Sequence, residues 1–555
     1  MTHQNTGGSA GATASSRARL GMSKSLSSAR LSPARPALAF AVVLAVATGW
    51  VTAAARAQET PPPPQSAAHP RKAFRITVVD SATNRGVPLV ELTTVNGILC
   101  VTDSAGVVAF DEPGLEGEEV FFFIRSHGYA YPRDGFQNAG TRLRITPGGS
   151  ATIRIDRVNI AERLYRVTGG GIYRDSVLLG DAAPTAEPLL NGKVFGQDSV
   201  QNAVYRGRLY WFWGDTSRPY YPLGNFAMSG ATSELPGAGG LDPSIGVNLR
   251  YFVGPDGFSR PMCPIPGQPG PVWCDGFVTC ADETGRERML CRFARMKSLG
   301  EMYEQGLAVY NDEQEIFEPG PRFALDAPLH PRGNPVRHKD ADGDYWYFAS
   351  PFPLVRCRND LTRLLDVTQY EAYTCLKPGA RYGASEPQLD RDAEGRLVYA
   401  WKRDTGLVLQ KEQNELIEKG LMKPDEALIR LCDAESGKPV LGHSGSVAWN
   451  AHRGRWIMIV QEIFGTSLCG EVWYAEAPAL TGPWRRARKV ITHDDYSFYN
   501  VRHHPYFDQQ DGRIIYFEGT YTMAFSGTKT PTPRYDYNQV MYRLDLSDPR
   551  LRTEP

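Results

Sequence analysis

Asp198 and Asp215 bracket the segment 196–216, GQDSVQNAVYRGRLYWFWGDT. Between them, residues 198–205 read as one strand, Arg206-Gly207-Arg208 as a turn and 209–213 as the return strand, so the spacing predicts a β-hairpin. A hairpin returns its two ends to one edge, which brings the two carboxyl groups together. A carboxyl that holds its proton beside one that has lost it is what glycosidic bond cleavage requires. One supplies a proton to the leaving oxygen, and the other acts as base or nucleophile. Taken singly, each aspartate also suits an ordinary turn, Asp215 with Thr216 above all. The pairing, with Trp211 and Trp213 close by, is what points to chemistry.

Further acids compete for a supporting catalytic place. Glu386 lies in 383–387 (GASEP) and reads as the head of an inner strand. Glu471 opens EVWY, and Glu518 follows IIYF. Any of the three is also an ordinary turn or ion-pair residue. Histidines gather late in the chain, with His443 ahead of a strand pattern and His503 and His504 inside 499–505, YNVRHHP. Sugars present C–H faces to aromatic rings and hydroxyls to arginine and carboxylates. Trp211, Trp213, His443, Tyr499, Arg502, His503 and His504 are therefore candidate substrate-binding residues. The tryptophans equally suit a core, and the histidines a hydrogen-bonded channel. His503 or His504 with Tyr499 would also suit a lyase, with histidine as the base. No cofactor or metal site is expected. No EF-hand-like run occurs, though a structural calcium ion stays open.

Acids far apart in sequence need a fold that gathers them. The chain has 555 residues with 61 basic and 61 acidic side chains, so no bulk charge favours nucleic acid. Abundant Gly and Pro with 11% aromatics favour short strands and turns, and an all-β fold. A strand, polar turn, aromatic strand pattern returns at 204–212, 336–348, 389–401, 447–459 and 505–517. That recurrence across 166–550 predicts a five-bladed β-propeller, whose inner strands converge on one axis. Residues 409–431 read as two short helices broken at Gly420 and Pro424, a helical insertion. Residues 73–165 alternate as a small antiparallel β-sandwich. Basic residues before the apolar run 37–51, then Ala55-Arg56-Ala57, predict a signal peptide over 1–57. The alternative is an uncleaved anchor. Residues 58–72 form a Pro-rich linker. Export to the periplasm or beyond, with nine cysteines, predicts disulfides without fixing their pairing.

The Gly86-Val-Pro88 turn, the Thr102-Asp-Ser-Ala-Gly106 turn and Gly128-Tyr129 resemble the carboxypeptidase regulatory-like, transthyretin-like module, which implies a spacer or adhesion unit. Gly196-Gln-Asp-Ser199 and Phe212-Trp-Gly-Asp-Thr216 resemble secreted five-bladed propeller glycosidases, in the group that includes bacterial endo-D-arabinanases. That resemblance implies a polysaccharide or oligosaccharide partner and makes Asp198 and Asp215 the catalytic carboxylates. Glu471 to Ala475, with Thr481-Gly-Pro-Trp484, resembles a blade motif of the wider arabinanase and xylosidase propellers. In those, acids on three blades serve as acid, base and pKa tuner. A non-catalytic carbohydrate- or protein-binding propeller is the rival reading.

Overall fold

The computed structural model describes residues 72–552, apart from 226, 268, 384, 385, 494 and 535. The expected leader and nearly all of the Pro-rich linker lie outside the described residues. Strands dominate and gather into two small sheets near the start, then five blades and a short three-stranded sheet.

The first two sheets pack face to face. One holds Phe74–Asp80, Val107–Phe110, Tyr129–Ala130 and Ser150–Arg157. The other holds Glu91–Thr94, Leu99–Val101, Glu119–Arg125 and Gly140–Arg144. Alternating residues such as Ile76, Val78, Leu92, Phe122 and Ile153 fill the space between them. The sandwich is not wholly antiparallel, because Phe74–Asp80 pairs in parallel with Ser150–Arg157.

Five blades follow. Their first strands are Gln201–Tyr205, Val272–Ala281, Asn334–Asp340, Gly442–Asn450 and Ser497–His503. Each touches the next around the ring. Blade five takes its outermost strand, Glu162–Arg166, from the segment before blade one, antiparallel to Asn538–Asp545. All five residues of that strand are buried. The ring is thus closed by pairing the start of the propeller with its end, which protects a sheet edge.

Each junction between neighbouring blades has its own apolar core. Phe212, Phe277 and Phe293 join blades one and two. Leu290, Phe348 and Tyr370 join two and three. Tyr347, Met458 and Trp484 join three and four. Ile459, Tyr474 and Phe517 join four and five. Trp211, Trp213 and Tyr516 join five and one.

The recurrent hairpins do not map one to a blade. The 336–348 and 447–459 patterns are the inner hairpins of blades three and four. The 389–401 pattern only leads into a fifth, outer strand of blade three, Ala400–Arg403. Blade two was not signalled, because its return strand Glu287–Ser298 carries Met, Leu, Cys and Arg around a single aromatic, Phe293, in place of an aromatic run. The insertion contains one helix, Gln410–Glu418, and not two. Gly420, with φ +70°, ends it, and the stretch expected as a second helix becomes turns and then the strand Ile429–Asp433. The Gln413 side chain is fully buried and accepts from Leu428 N and Ile429 N, which fixes this helix to blade four.

All nine cysteines are free thiols, which corrects the expectation of disulfides. Cys263 and Cys291 fill the core between blades one and two, and Cys280 and Cys357 that between two and three. They pack as small apolar side chains.

Candidate active site

The hairpin expected at blade one forms, with its first strand starting at Gln201 and not at Asp198, and with Arg208 in the return strand and not in the turn. Gln201–Tyr205 pairs with Arg208–Trp213 around Arg206 and Gly207, at φ +50° and +75°. Two consecutive left-handed residues make the type I′ turn that suits strand twist. The same register continues past the hairpin, where Gly196 and Gln197 pair with Ser217 and Thr216. Asp198 and Asp215 therefore stand opposite each other. Asp198 N donates to Asp215 O at 3.3 Å, and Gly214 N donates to Asp198 O at 2.8 Å. Directly opposed residues carry their Cβ atoms about 4.5–5.5 Å apart on one face.

The support beneath this pair is polar and largely buried. Gln197 is fully buried; its amide donates to Ser229 Oγ at 2.5 Å and accepts from Tyr251 OH at 2.7 Å. Tyr499 OH donates to Asp198 Oδ2 at 2.7 Å, and Trp273 Nε1 donates to Asp215 Oδ1 at 3.2 Å. Asn500 Nδ2 donates to Ser199 Oγ at 2.6 Å. Asp198 Oδ1 is buried without a hydrogen-bond partner. It lies where a Cβ on Gly214 would come within 2.3 Å, so the glycine makes room for the carboxyl. Both aspartates keep partial solvent exposure.

Burial pushes the Asp198 carboxyl up to about 7, with the neighbouring Asp215 adding to the shift and the Tyr499 hydroxyl opposing it. Burial also raises Asp215, and the Trp273 indole opposes that. Two carboxyls crowded together cannot both ionise freely, and here the more strongly shifted one is Asp198. Tyr537 joins the group: burial raises its hydroxyl, and both aspartates add to that shift.

The first strands of a propeller run in one direction around the axis, so their starting ends ring one opening. Asp198 enters blade one there, Trp273 blade two, Asn334 blade three, His443 blade four, and Tyr499 and Asn500 blade five. Below this ring the axis is plugged. Arg502 donates to Gln201 Oε1 at 3.2 Å, to Asn202 O at 2.9 Å and to Asn334 Oδ1 at 2.5 Å. It ties blade five to blades one and three, and is buried in doing so.

The other expected site residues are dispersed. Trp211 and Trp213 are stacked and fully buried in the core between blades five and one, so neither face meets a sugar. Glu386 heads no inner strand; it is exposed, in the connection between Glu371–Thr374 and Ala400–Arg403. Glu471 precedes the third strand of blade four, fully buried; it accepts from Thr492 Oγ1 at 3.0 Å and lies 3.4 Å from Lys489 Nζ. Glu518 sits mid-strand in blade five, fully buried, with Oε1 3.4 Å from His504 Nε2. Burial pushes it up to about 8, so it is a neutral interior group. His504 Nδ1 meets Tyr506 OH and Asn202 Nδ2, and His503 Nε2 meets Asp508 Oδ1 at 2.8 Å. Both histidines are buried and engaged away from Tyr499, so neither is placed as the base expected for a lyase. Arg502 is an axial strut and not a substrate contact. His443 and Tyr499 remain at the opening.

Sequence reasoning missed Trp273, Asn500 and Tyr537. Their only signal is position: Trp273 begins an inner strand, and Tyr537 directly precedes the third strand of blade five. Among the described residues, no group of three or more His, Cys, Asp or Glu side chains is arranged to hold a metal ion.

No protein-family model matches the chain, and no curated protein matches it. Solved structures do. An exo-β-1,3-galactanase from Phanerochaete chrysosporium, in complex with β-1,3-galactotriose, is 11% identical with a TM-score of 0.34, over 70% of this chain and 65% of that one. A GH43_1 enzyme from Xanthomonas citri with xylotriose is 12% identical, TM-score 0.30, over 64% and 88%. An exo-1,5-α-L-arabinanase from a bovine ruminal metagenomic library is 11% identical, TM-score 0.31, over 64% and 94%. At such scores the likeness supplies no residue correspondence, and the five blades rest on this chain's own strand pairing.

Proposed function

We propose that this chain is a glycoside hydrolase acting on a polysaccharide or oligosaccharide laid across the open end of the propeller. Asp198 is the proton donor and Asp215 the ionised partner that serves as base or nucleophile. The reading is carried by one observation: two carboxyls stand opposite each other at the axial opening, between the blade-one hairpin and the short sheet that precedes it, and one of them is held protonated toward neutrality. Tyr499 and Trp273 each fix one carboxylate oxygen, which orients the pair before substrate arrives. The sandwich serves as a transthyretin-like spacer, and the N-terminal leader sends the chain to the periplasm or beyond.

The test is release of reducing ends from a panel of plant, algal and bacterial glycans. Wild type cleaves at least one member. Asp198→Asn and Asp215→Asn each lose about 10²–10⁴-fold in kcat with the fold intact, the range carried by a positioned acid or base. Full activity in both variants would remove the assignment.

A further inference from the structure

Blades three and four are the two that do not neighbour blade one in a ring of five, so the starting ends of their inner strands lie across the opening from Asp198 and Asp215. Two of the residues there are cationic or proton-donating, and the carboxylate at that end, Glu462 opposite Gly442, is already engaged by Trp473 Nε1 at 2.8 Å. Arg332 lies two positions before the inner strand of blade three, and His443 is the second residue of that of blade four. Both are exposed. They are close enough that the Arg332 charge acts on the His443 ring, and on His330 as well.

Arg332 stands out among the arginines here. Arg356 is paired with Asp340, Asp342 and Glu371, and Arg292 with Asp275. Arg332 has no carboxylate partner among the described residues. The nearby acid that could have neutralised it is already engaged: Asp275 accepts from Arg292 Nη1 at 3.2 Å and from Gly333 N at 3.3 Å. The opening is therefore polarised, with a carboxyl pair on the blade one side and an uncompensated guanidinium beside two imidazoles on the far side. A neutral glycan has no use for that asymmetry, whereas a glycan carrying an anion a short way from the cleaved bond is oriented by it.

We propose that Arg332, with His443, forms an anion-binding subsite, and that the substrate is an acidic glycan whose carboxylate or sulfate group docks there. This rests on the hydrolase reading for the location of the cleaved bond, but it is a statement about binding. Arg332 supplies the charge and a two-pronged donor face. The His443 ring, partly desolvated by its surroundings although the residue as a whole is exposed, is held below its ordinary value by that desolvation and by Arg332, so near neutrality it offers a neutral ring N–H.

The experiment is calorimetric titration of the full chain carrying Asp198→Asn, so that bound glycan is not consumed. The probes are trigalacturonate, a sulfated galactotriose and neutral β-1,3-galactotriose. At least one anionic probe binds more tightly than the neutral one. Adding Arg332→Gln weakens that probe about tenfold or more, as expected for a lost charge-assisted bond, and leaves the neutral probe unchanged. Raised salt weakens the anionic probe alone. Whichever anionic probe gains more identifies the group as carboxylate or sulfate. Equal affinities for charged and neutral probes, absence of binding by both anionic probes, or an Arg332→Gln variant that binds them undiminished would each overturn the subsite. Cleavage is read separately in wild type. Failure to release reducing ends would fall on the hydrolase reading, and unchanged binding in Arg332→Gln would fall on this one.

Discussion

At the scale of single residues, the proposed hydrolase rests on a proton kept in place against solvent. In that proposal Asp198 holds its proton in order to protonate the leaving oxygen. With its carboxyl at about 7, activity is full at mildly acidic pH and falls as pH rises through that value. Tyr499 is a positioning residue for this carboxyl, because its hydroxyl donates to Oδ2 and stabilises the ionised form. Tyr499→Phe removes that donor. The alkaline limb of the rate profile then moves to higher pH, and kcat drops about tenfold from lost orientation. A pH–rate series on the two proteins checks both, and an unshifted limb would show that Tyr499 does not tune Asp198. Glu518 is the contrasting case. It is equally titratable in principle but sealed in blade five beside His504, with no route to a substrate.

At the scale of elements, the hairpin of blade one does most of the positioning. Its two arms and its two terminal acids were legible in 21 residues of sequence; the turn is one residue shorter than the three expected, and that two-residue turn fixes the register and hence which side chains oppose. The blade count was legible too, although the hairpins that suggested it were partly the wrong ones. Blade two pairs its aromatics with non-aromatic partners, Trp273 with Ala294 and Phe293 with Cys274, and aromatic patterning did not reveal it. The supporting residues were illegible for another reason. Trp273 and Tyr537 reach Asp198 and Asp215 only through ring closure, and no local pattern encodes which blade entries meet. Trp211 and Trp213 misled because an aromatic strand looks the same facing a sugar or a neighbouring blade. Gly214 gives this scale its test. Its backbone is not in the left-handed region, so alanine is tolerated there, but the new Cβ would press within 2.3 Å of Asp198 Oδ1. Gly214→Ala should lower kcat at least tenfold with a near-normal melting temperature. Unchanged kcat would mean that the carboxyl has freedom the hairpin was argued to deny it.

At the scale of the whole molecule, the ring is held by two closures. One is the strand Glu162–Arg166, which completes blade five from the far end of the propeller sequence. The other is Arg502, which bonds residues of blades one and three from blade five, while Asn334 Nδ2 passes the link on to Gly445 O in blade four. Arg502→Ala strands several buried partners at once and should cost about 3 kcal/mol. Urea denaturation reads this as a lower midpoint, and an unchanged midpoint would deny the arginine its place as the axial strut. The sandwich is docked to the same ring: Asp103 Oδ2 accepts from Ser176 N at 2.7 Å, and Arg534 donates to Val101 O at 2.6 Å. Its Thr-Asp-Ser-x-Gly turn therefore makes contact with the propeller's entry segment.

Carbon-13 titration of the Asp198 side-chain carboxyl, identified by its loss in Asp198→Asn, bears most directly on the proton-holding pair. A midpoint near 7 in the otherwise unaltered chain, falling toward the ordinary aspartate value when Asp215 is replaced by asparagine, is the predicted result. A midpoint near 4 in both proteins would contradict it, and would leave the propeller without a proton donor at its opening.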